Sequence, residues 1–302
     1  MNEEPLDPHI YRALHTGTFG DRQFYIDLVK KKIHQSPQKL RVLELGCGSG
    51  RILCELAKLN VHLTGIDLSR EALEFCHDQL IELGRSVLMF DHDSSDQGQH
   101  IPDEQVSTIY LIQQDFTNLT DDLLSNYDLV LITYNSIYCL PSEKHQIDLI
   151  KSALSFLNQT GELWIDGYAL PDPDEYAYES DQEFSPLTVI TLPPTQARLC
   201  RDLGVEEKDD FDIKKQLLTV SYRYSAPEEE AHLEPLHYKI EQIKHRYLYP
   251  WQFPKICLLA NANLQSMMAD FGGDLLKPTE DLRSYAWGIE AEHWIACLTK
   301  DM

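Results

Sequence analysis

The fold is decided by RVLELGCGSGR, residues 41–51 of the chain. Residues 41–45 form an apolar run of the length of a short buried strand, and residues 51–58 repeat apolar side chains at a helical period. Between these segments stand three glycines at alternate positions, Gly46, Gly48 and Gly50. Glycine permits backbone conformations and close approaches that side chains prevent. The pattern therefore predicts a tight strand-to-helix turn that holds its backbone close to a ligand.

A carboxylate follows the next apolar run. Residues 61–66 predict a second strand, and Asp67 stands at its end, seventeen residues beyond Gly50. A carboxylate at this place can accept hydrogen bonds from both hydroxyls of a ribose. The dinucleotide pattern is G-x-G-x-x-G, whereas this turn has G-x-G-x-G preceded by Glu44, and the sequence contains no G-x-x-x-x-G-K-[ST] loop. We therefore expect a nucleoside site that differs from the dinucleotide type.

Composition limits the partners. The chain has 302 residues, of which 43% are apolar, and this is enough for one large core with an appended subdomain. The formal net charge is −23, from 49 acidic and 26 basic residues. Such a field repels phosphates and anionic lipids, so we expect no nucleic-acid or membrane partner. It favours a cationic or neutral substrate over an anionic one.

Cysteine usage and the N-terminus indicate the compartment. The seven cysteines are scattered, odd in number and free of C-x-x-C pairs, which argues against a disulfide framework and a zinc site. The sequence has no run of eighteen apolar residues, and its first residues, MNEE, are acidic, unlike a secretory signal. We therefore predict reduced thiols, no metal and a cytoplasmic location.

Strand and helix patterns alternate along the first half of the chain. This alternation is typical of a parallel α/β sheet with helices on both faces. The predicted strands are 41–45, 61–66, 108–112, 127–133 and 161–165, and the predicted helices are 51–58, 69–83 and 143–157.

The pattern changes after Pro171. Residues 171–212 are rich in proline and acidic residues, and two alternating segments, 216–224 and 237–244, flank the acidic turn 227–230. They predict an antiparallel lid inserted into the main sheet. A helix at 251–262 and strands at 264–268 and 293–299 follow, while residues 91–105 are expected to form an exposed loop.

The pattern E-x-G-x-G-x-G with Asp67 resembles the class I S-adenosylmethionine-dependent methyltransferases. Residues 21–25, DRQFY, and residues 245–250, HRYLYP, are similar to the small-molecule branch that includes glycine, sarcosine and sugar-amine N-methyltransferases. The resemblance covers residues 11–300 and departs from the branch at residues 261–264, where relatives place a glycine and an aromatic. It implies a doubly wound, seven-stranded, mostly parallel sheet whose last strand is antiparallel, with an inserted antiparallel lid subdomain.

The resemblance also implies four segments. Residues 1–40 would form an N-terminal helical cap, and residues 41–168 the S-adenosylmethionine-binding core. Residues 169–248 would form the acidic, antiparallel lid over the acceptor site, and residues 249–302 the C-terminal part of the core sheet.

Cofactor contacts follow from the same resemblance. Gly46 and Gly48 would let the backbone approach the methionine portion of the cofactor, while Arg51 would bind its carboxylate. Asp67 would hold the ribose hydroxyls, and Leu68 would pack on one face of the adenine.

Other implied contacts lie outside the glycine turn. Asp115 would accept the adenine amino group, and the Phe116 N–H would meet a ring nitrogen; a helix cap is the alternative interpretation of Asp115. Tyr25 would lie along the sulfonium, since cations are stabilised over aromatic faces, or it is an ordinary core tyrosine. The implied cofactor set is completed by Glu44, Cys47, Gly50 and Thr133.

Acceptor residues are expected at the carboxyl ends of the strands. Methyl transfer is an in-line displacement that mainly needs alignment and the exclusion of water, although a hydroxyl acceptor also needs a base. The candidate catalytic residues are Tyr134, Asn135 and His245. The candidate substrate contacts are Tyr11, His15, Tyr138, Asp166, Tyr168, Arg246 and Tyr247. For Tyr134, Tyr138 and Tyr168 a core role is the alternative interpretation.

Several functions stay open at this stage. A small-molecule methyltransferase, with an amine slightly favoured over a hydroxyl by the acidic balance, is the first hypothesis. The others are a peptide or protein methyltransferase and a catalytically silent cofactor-binding partner; a nicotinamide oxidoreductase is disfavoured by the glycine spacing. Residues 133–136, TYNS, are not an N-P-P-Y element, which argues against base-amine methylation. We expect a monomer or homodimer.

Overall fold

The computed structural model describes residues 8–91, 108–116, 119, 125–170, 178–191, 202–225, 240–272, 275–276 and 291–301. The helices in this part of the chain are α1 (Pro8–Leu14), α2 (Asp21–Gln35), α3 (Leu53–Leu56), α4 (Arg70–Glu82), α5 (Glu143–Phe156) and α6 (Phe253–Leu259). The strands of the large sheet are β1 (Arg41–Leu45), β2 (His62–Asp67), β3 (Ser86–Asp91), β4 (Thr108–Gln113), β5 (Tyr127–Ile132), β6 (Leu157–Tyr168), β11 (Ala262–Ala269), β12 (Leu275–Leu276) and β13 (His293–Lys300). A second sheet contains β7 (Ser185–Thr191), β8 (Asp202–Asp212), β9 (Leu217–Ser225) and β10 (Ile240–Arg246).

The large sheet has the strand order β12-β11-β13-β6-β5-β1-β2-β4-β3. The strands from β3 to β6 in this order are mutually parallel, and β13 runs antiparallel to both of its neighbours, β6 and β11. The mixed α/β architecture, its mostly parallel sheet and its antiparallel last strand are therefore confirmed.

The expected count of seven strands was wrong for the described residues, because β3 and β12 extend the sheet to nine at its two edges. β3 alternates between exposed and half-buried positions, as an edge strand does, so its short apolar run SVLMFD gave no distinct signal. β12 has two residues.

The central strands are buried on both faces. In β1, the residues after Arg41 are all buried, and in β5 the last four positions are buried as well. Strands enclosed by helices on both sides need continuous apolar side chains, and RVLEL and YDLVLI provide them. This packing places the carboxyl ends of β1, β2 and β5 side by side, where the polar residues of the candidate site begin.

The second sheet is antiparallel, in the order β10-β9-β8-β7. Its strands β9 and β10 match predicted segments in the described residues. β7 and β8 were not predicted, because β7 is mostly exposed and β8 carries many acidic residues, which strands usually lack. Residues 92–107, 226–239 and 171–177, which include most of the predicted loop and the whole acidic turn, lie outside the described residues.

The chain divides into two compact units. One contains residues 1–16 and 172–247, and the other contains residues 17–171 and 248–302. The boundary therefore separates α1 from α2, whereas the sequence predicted one helical cap over residues 1–40. Within the part of the chain that the structure describes, no helix is long and apolar enough to cross a membrane.

Candidate active site

The glycine turn follows β1. Gly46, Gly48 and Gly50 all have positive φ, at 75°, 52° and 82°, a region that L side chains rarely adopt. The backbone N–H groups of Gly46 and Cys47 donate to the carbonyl of Ile66, at 2.8 and 3.0 Å, and fix the turn against β2. The helix after the turn is shorter than predicted, since α3 covers only Leu53–Leu56.

Asp67 lies at the carboxyl end of β2, next to this turn. Its Oδ2 accepts the N–H of Gly48 at 2.7 Å, and its Oδ1 accepts the N–H of Ser69 at 2.9 Å. Burial raises the pKa of Asp67, although these donors oppose the rise. Leu68 follows with a side chain that is 64% exposed. The turn thus presents an oriented carboxylate beside an uncovered apolar side chain, which suits a ribose and a flat base.

The loop after β4 packs near the glycine turn. A Cβ added at Gly46 would stand 3.4 Å from the ring of Phe116, and the Gln114 N–H donates to the Asp67 carbonyl at 3.0 Å. Asp115 lies between them and is half-buried. Cys47 is buried, and its sulfur faces Gly65 in β2, so its backbone is the part that can face a ligand.

Glu44 is a buried carboxylate on β1. It is 1% exposed, and its Oε1 accepts the hydroxyl of Thr133 at 2.9 Å. Its Oε2 has no hydrogen-bond partner among the described residues. Burial raises the pKa of Glu44 to about 7. An unsatisfied buried oxygen is costly, so this atom is suited to pair with a polar group of a ligand, as an acceptor when Glu44 is ionised and as a donor when it is protonated.

The pKa of Glu44 gives a pH prediction for stability. The folded protein keeps this proton up to about pH 7, whereas the unfolded chain loses it near the ordinary value of 4.5. A group with a raised folded pKa loses its stability contribution as the pH rises through this window. When the pH rises from 5 to 8, the wild type loses this contribution and the Glu44→Gln variant does not. We therefore expect the unfolding free energy of the variant, relative to that of the wild type, to increase by about 2–3 kcal/mol over this range.

Urea unfolding of both proteins at the two pH values measures this difference. The amide keeps an oxygen for the Thr133 hydroxyl, so the comparison isolates the ionisation. A difference in unfolding free energy that stays constant with pH would contradict the assignment.

Arg51 lies between two side chains. Its Nη1 donates to Asp21 Oδ2 at 2.5 Å, and its guanidinium carbon lies 4.5 Å from the centroid of the Tyr134 ring. Tyr134 and Asn135 have positive φ, at 51° and 65°. The predicted catalytic residue Tyr134 therefore stacks on the predicted cofactor residue Arg51.

Tyr25 and Asp166 form a buried pair. The Tyr25 hydroxyl donates to Asp166 Oδ2 at 2.5 Å, and the N–H of Tyr134 donates to the same carboxylate. Burial raises the pKa of Asp166 to about 6 and that of Tyr25 well above its usual range. Tyr25 has no exposed surface and Asp166 is 2% exposed. The buried pair therefore holds the loop at Tyr134 through the hydrogen bond from the Tyr134 N–H.

Two other predicted acceptor residues hold the end of β6. The Asn135 Oδ1 accepts the N–H of Tyr168 at 2.6 Å. Tyr138 is fully buried; its hydroxyl donates to the Tyr168 carbonyl at 2.9 Å and accepts the Trp294 indole N–H at 2.7 Å. These contacts favour a structural role for Tyr138 over the predicted substrate contact.

The unit with the antiparallel sheet brings three predicted residues together. The ring centroids of Tyr11 and His15 are 4.3 Å apart, and His15 meets Tyr222 at 5.5 Å. Burial lowers the pKa of His15 and of His245 to about 4, and for His245 the neighbouring His15 adds to the effect. His245 is therefore neutral at pH 7 and a weak base.

The last two predicted acceptor residues follow His245. Arg246 ends β10 and pairs with Leu217 of β9. Tyr247 is fully buried, and its N–H donates to the Gln216 carbonyl at 3.1 Å.

Two residues were missed by the sequence analysis. Asp21 contacts Arg51 across thirty positions, and Tyr222 contacts His15 across more than two hundred. Asp21 directly follows Gly20 at the start of a helix. This position indicated only a favourable helix terminus and not a contact with Arg51. No local signal pointed to Tyr222.

The mostly parallel sheet with antiparallel β13, the glycine turn and Asp67 form the arrangement that the resemblance to class I S-adenosylmethionine-dependent methyltransferases led us to expect. Residues 42–127 match the family model described as a methyltransferase domain. The glycine turn and Asp67 both lie within the matched residues.

Known proteins resemble the chain at low identity. It is 29% identical to the protein YqeM of Bacillus subtilis over 154 residues, which are 49% of this chain and 53% of that protein. The alignment therefore spans about half the length of that curated relative.

Two solved structures are similar over nearly the whole chain. The CcbJ methyltransferase of Streptomyces caelestis has a TM-score of 0.66 at 17% identity and covers 95% of this chain and 92% of its own. CalS10 of Micromonospora echinaspora, an amino pentose methyltransferase solved with S-adenosylmethionine bound, has a TM-score of 0.59 at 13% identity, with 95% and 94% covered. At these identities the likeness shows the fold.

Proposed function

We propose that this protein transfers a methyl group from S-adenosylmethionine to a small-molecule acceptor, with an amine favoured over a hydroxyl. The observation that carries the proposal is the glycine turn with Asp67 hydrogen-bonded to Gly48, next to the unsatisfied oxygen of Glu44. When bound, the cofactor supplies a methyl group attached to a positively charged sulfur. After the transfer this sulfur is part of a neutral thioether, S-adenosylhomocysteine.

The residues of the site have separate tasks in this proposal. Asp67 binds the ribose, Leu68 covers the adenine, and Arg51 binds the carboxylate of the methionine portion. Asp115, Phe116 and the turn backbone complete the cofactor contacts. The loop at Tyr134 and Asn135 aligns the acceptor in this proposal, and the acceptor contacts expected from the sequence at His15 and His245 stay predictions.

Charge and comparison both favour an amine. The chain carries a formal net charge of −23, which attracts a cationic acceptor. The structural neighbour CalS10 is described as an amino pentose methyltransferase. An amine needs only to lose its proton before attack, whereas a hydroxyl needs a base during it. A peptide methyltransferase and a silent cofactor-binding protein are the alternatives.

The experiment has two stages. Calorimetry with S-adenosylmethionine and S-adenosylhomocysteine tests the cofactor site, and release of S-adenosylhomocysteine is then measured with matched acceptors. The panel contains amino pentoses, the corresponding pentoses with hydroxyl in place of the amine, glycine, sarcosine and a lysine-rich peptide. We expect turnover with an amine and not with its hydroxyl counterpart.

Other outcomes decide between the alternatives. Turnover with the peptide alone would favour a protein methyltransferase, and cofactor binding without turnover on the panel would favour a silent partner. The monomeric or homodimeric state, the absence of nucleic-acid and membrane partners and the cytoplasmic location stay predictions.

A further inference from the structure

Asp21 is a buried carboxylate that contacts Arg51 of the candidate site and the backbone at the start of α2. It is the first residue of α2 and is 3% exposed. Its Oδ2 accepts the N–H of Thr18 at 3.1 Å and the Arg51 guanidinium at 2.5 Å, while its Oδ1 accepts the N–H of Arg22 at 2.5 Å. The backbone at the start of α2 therefore fixes the position of the Asp21 carboxylate. The carboxylate in turn fixes the position of the Arg51 guanidinium.

Tyr134 holds Arg51 from another direction. Its ring lies 4.5 Å from the guanidinium carbon, and its hydroxyl accepts the N–H of Gly17. A Cβ added at Gly17 would collide with the Arg51 guanidinium, so this segment packs directly on the same group. Thr18 is anchored in turn, because its hydroxyl is 2.9 Å from His293 Nε2. Arg51 is thus enclosed by a fixed carboxylate, an aromatic ring and a glycine backbone.

This enclosure has a consequence for ligand binding. An arginine side chain has five N–H donors in a planar fork, and the ion pair with Asp21 engages Nη1. The free rotation of a long side chain opposes binding, and fixing it before the ligand arrives raises affinity. The remaining donors can therefore meet a second carboxylate at little further entropic cost.

We propose that Asp21 is a positioning residue for cofactor binding, which holds Arg51 against Tyr134 so that the guanidinium receives the carboxylate of the methionine portion. The inference rests on the proposed function, since it requires S-adenosylmethionine in the glycine turn. It assigns to the start of α2 a role in recognising the amino-acid end of the cofactor, separate from the ribose contact at Asp67.

The test compares two ligands that share the adenosyl group and the sulfur. S-adenosylhomocysteine has the amino-acid end, and 5′-methylthioadenosine lacks it. We expect Asp21→Asn to raise the Kd of S-adenosylhomocysteine about 5- to 30-fold and to leave that of methylthioadenosine unchanged, since Arg51 loses the charged partner that holds it where the amino-acid end of the ligand binds. Arg51→Gln should give the same pattern.

A double-mutant cycle tests the coupling. If Asp21 acts through Arg51, the variant with both changes binds S-adenosylhomocysteine no more weakly than Arg51→Gln alone. Asp27→Asn is the matched control, because Asp27 is an exposed carboxylate of the same helix. It should change neither Kd.

Each remaining outcome has a fixed meaning. An equal loss of affinity for both ligands, or additive losses in the cycle, would overturn the inference in favour of a purely structural role. If Asp21→Asn does not fold, Asp21→Glu keeps the charge and should retain more affinity for S-adenosylhomocysteine than Arg51→Gln does; equal losses would overturn the inference. A wild type that binds neither ligand would overturn the proposed function, and the inference with it.

Discussion

Replacing Asp67 with alanine is expected to weaken the binding of S-adenosylmethionine and S-adenosylhomocysteine by about 1.5–3 kcal/mol, the cost of losing hydrogen bonds to a charged acceptor. This corresponds to an increase in Kd of roughly 10- to 150-fold. The N–H groups of Gly48 and Ser69 already orient the carboxylate in the wild type. Orienting it for the ribose hydroxyls therefore costs little free energy. Isothermal calorimetry at one pH measures the change.

The same substitution removes contacts within the protein. The N–H groups of Gly48 and Ser69 lose their acceptor, so a lower unfolding free energy should accompany the weaker binding. Asp128→Ala is the matched control: its carboxylate accepts the N–H of Arg41 at 2.8 Å and the amide of Asn158 at 2.7 Å, at the amino ends of β1 and β5. We expect this control to lose stability and to keep its cofactor affinity.

The pair of variants separates the two effects. An Asp67→Ala protein that is folded and binds both ligands as tightly as the wild type would refute the ribose contact. Equal losses of affinity in both variants would instead trace the effect to general destabilisation.

Local patterns predicted the part of the fold that forms the candidate site. Residues 41–51 and Asp67 lie within one strand-turn-helix-strand segment, and short-range spacing determines such a segment. Because β1, β2 and β5 are buried on both faces, their sequences are continuous apolar runs, and such runs predict strands. Edge strands such as β3 and β7 bury little, and their sequences therefore carried no comparable signal.

The candidate site contains contacts that no local pattern encodes. The Tyr25 hydroxyl meets Asp166 across 141 positions, and Thr133 meets Glu44 across 89. The sequence placed Tyr138 correctly after the fourth predicted strand, but its satisfied hydroxyl depends on Trp294, 156 positions away. Residue type and loop position thus predict which side chains lie near the site, whereas tertiary partners decide which of them are left for a ligand.

Of the three glycines in the turn, Gly50 has the tightest surroundings. Its φ is +82°, and an added Cβ would collide with the sulfur of Cys76 and approach that of Cys54 to 3.0 Å. Cys76 is fully buried in α4 and Cys54 is buried in α3, so neither sulfur has free space to move into. We expect Gly50→Ala to lower the unfolding free energy by about 2–4 kcal/mol, from the left-handed backbone and the overpacked core together.

Gly84 provides the matched control. It has a φ of +72° after α4, but an added Cβ there would meet no atom within 4 Å. Gly84→Ala therefore carries the backbone cost alone, about 1 kcal/mol, and should leave cofactor binding unchanged. The excess loss in Gly50→Ala measures the clash with the two thiols, and weaker binding of S-adenosylhomocysteine should accompany it because the turn is displaced. Urea unfolding measures both losses. Equal losses in the two variants would mean that Cys54 and Cys76 move to make room for the added methyl group, and that backbone conformation alone requires glycine at position 50.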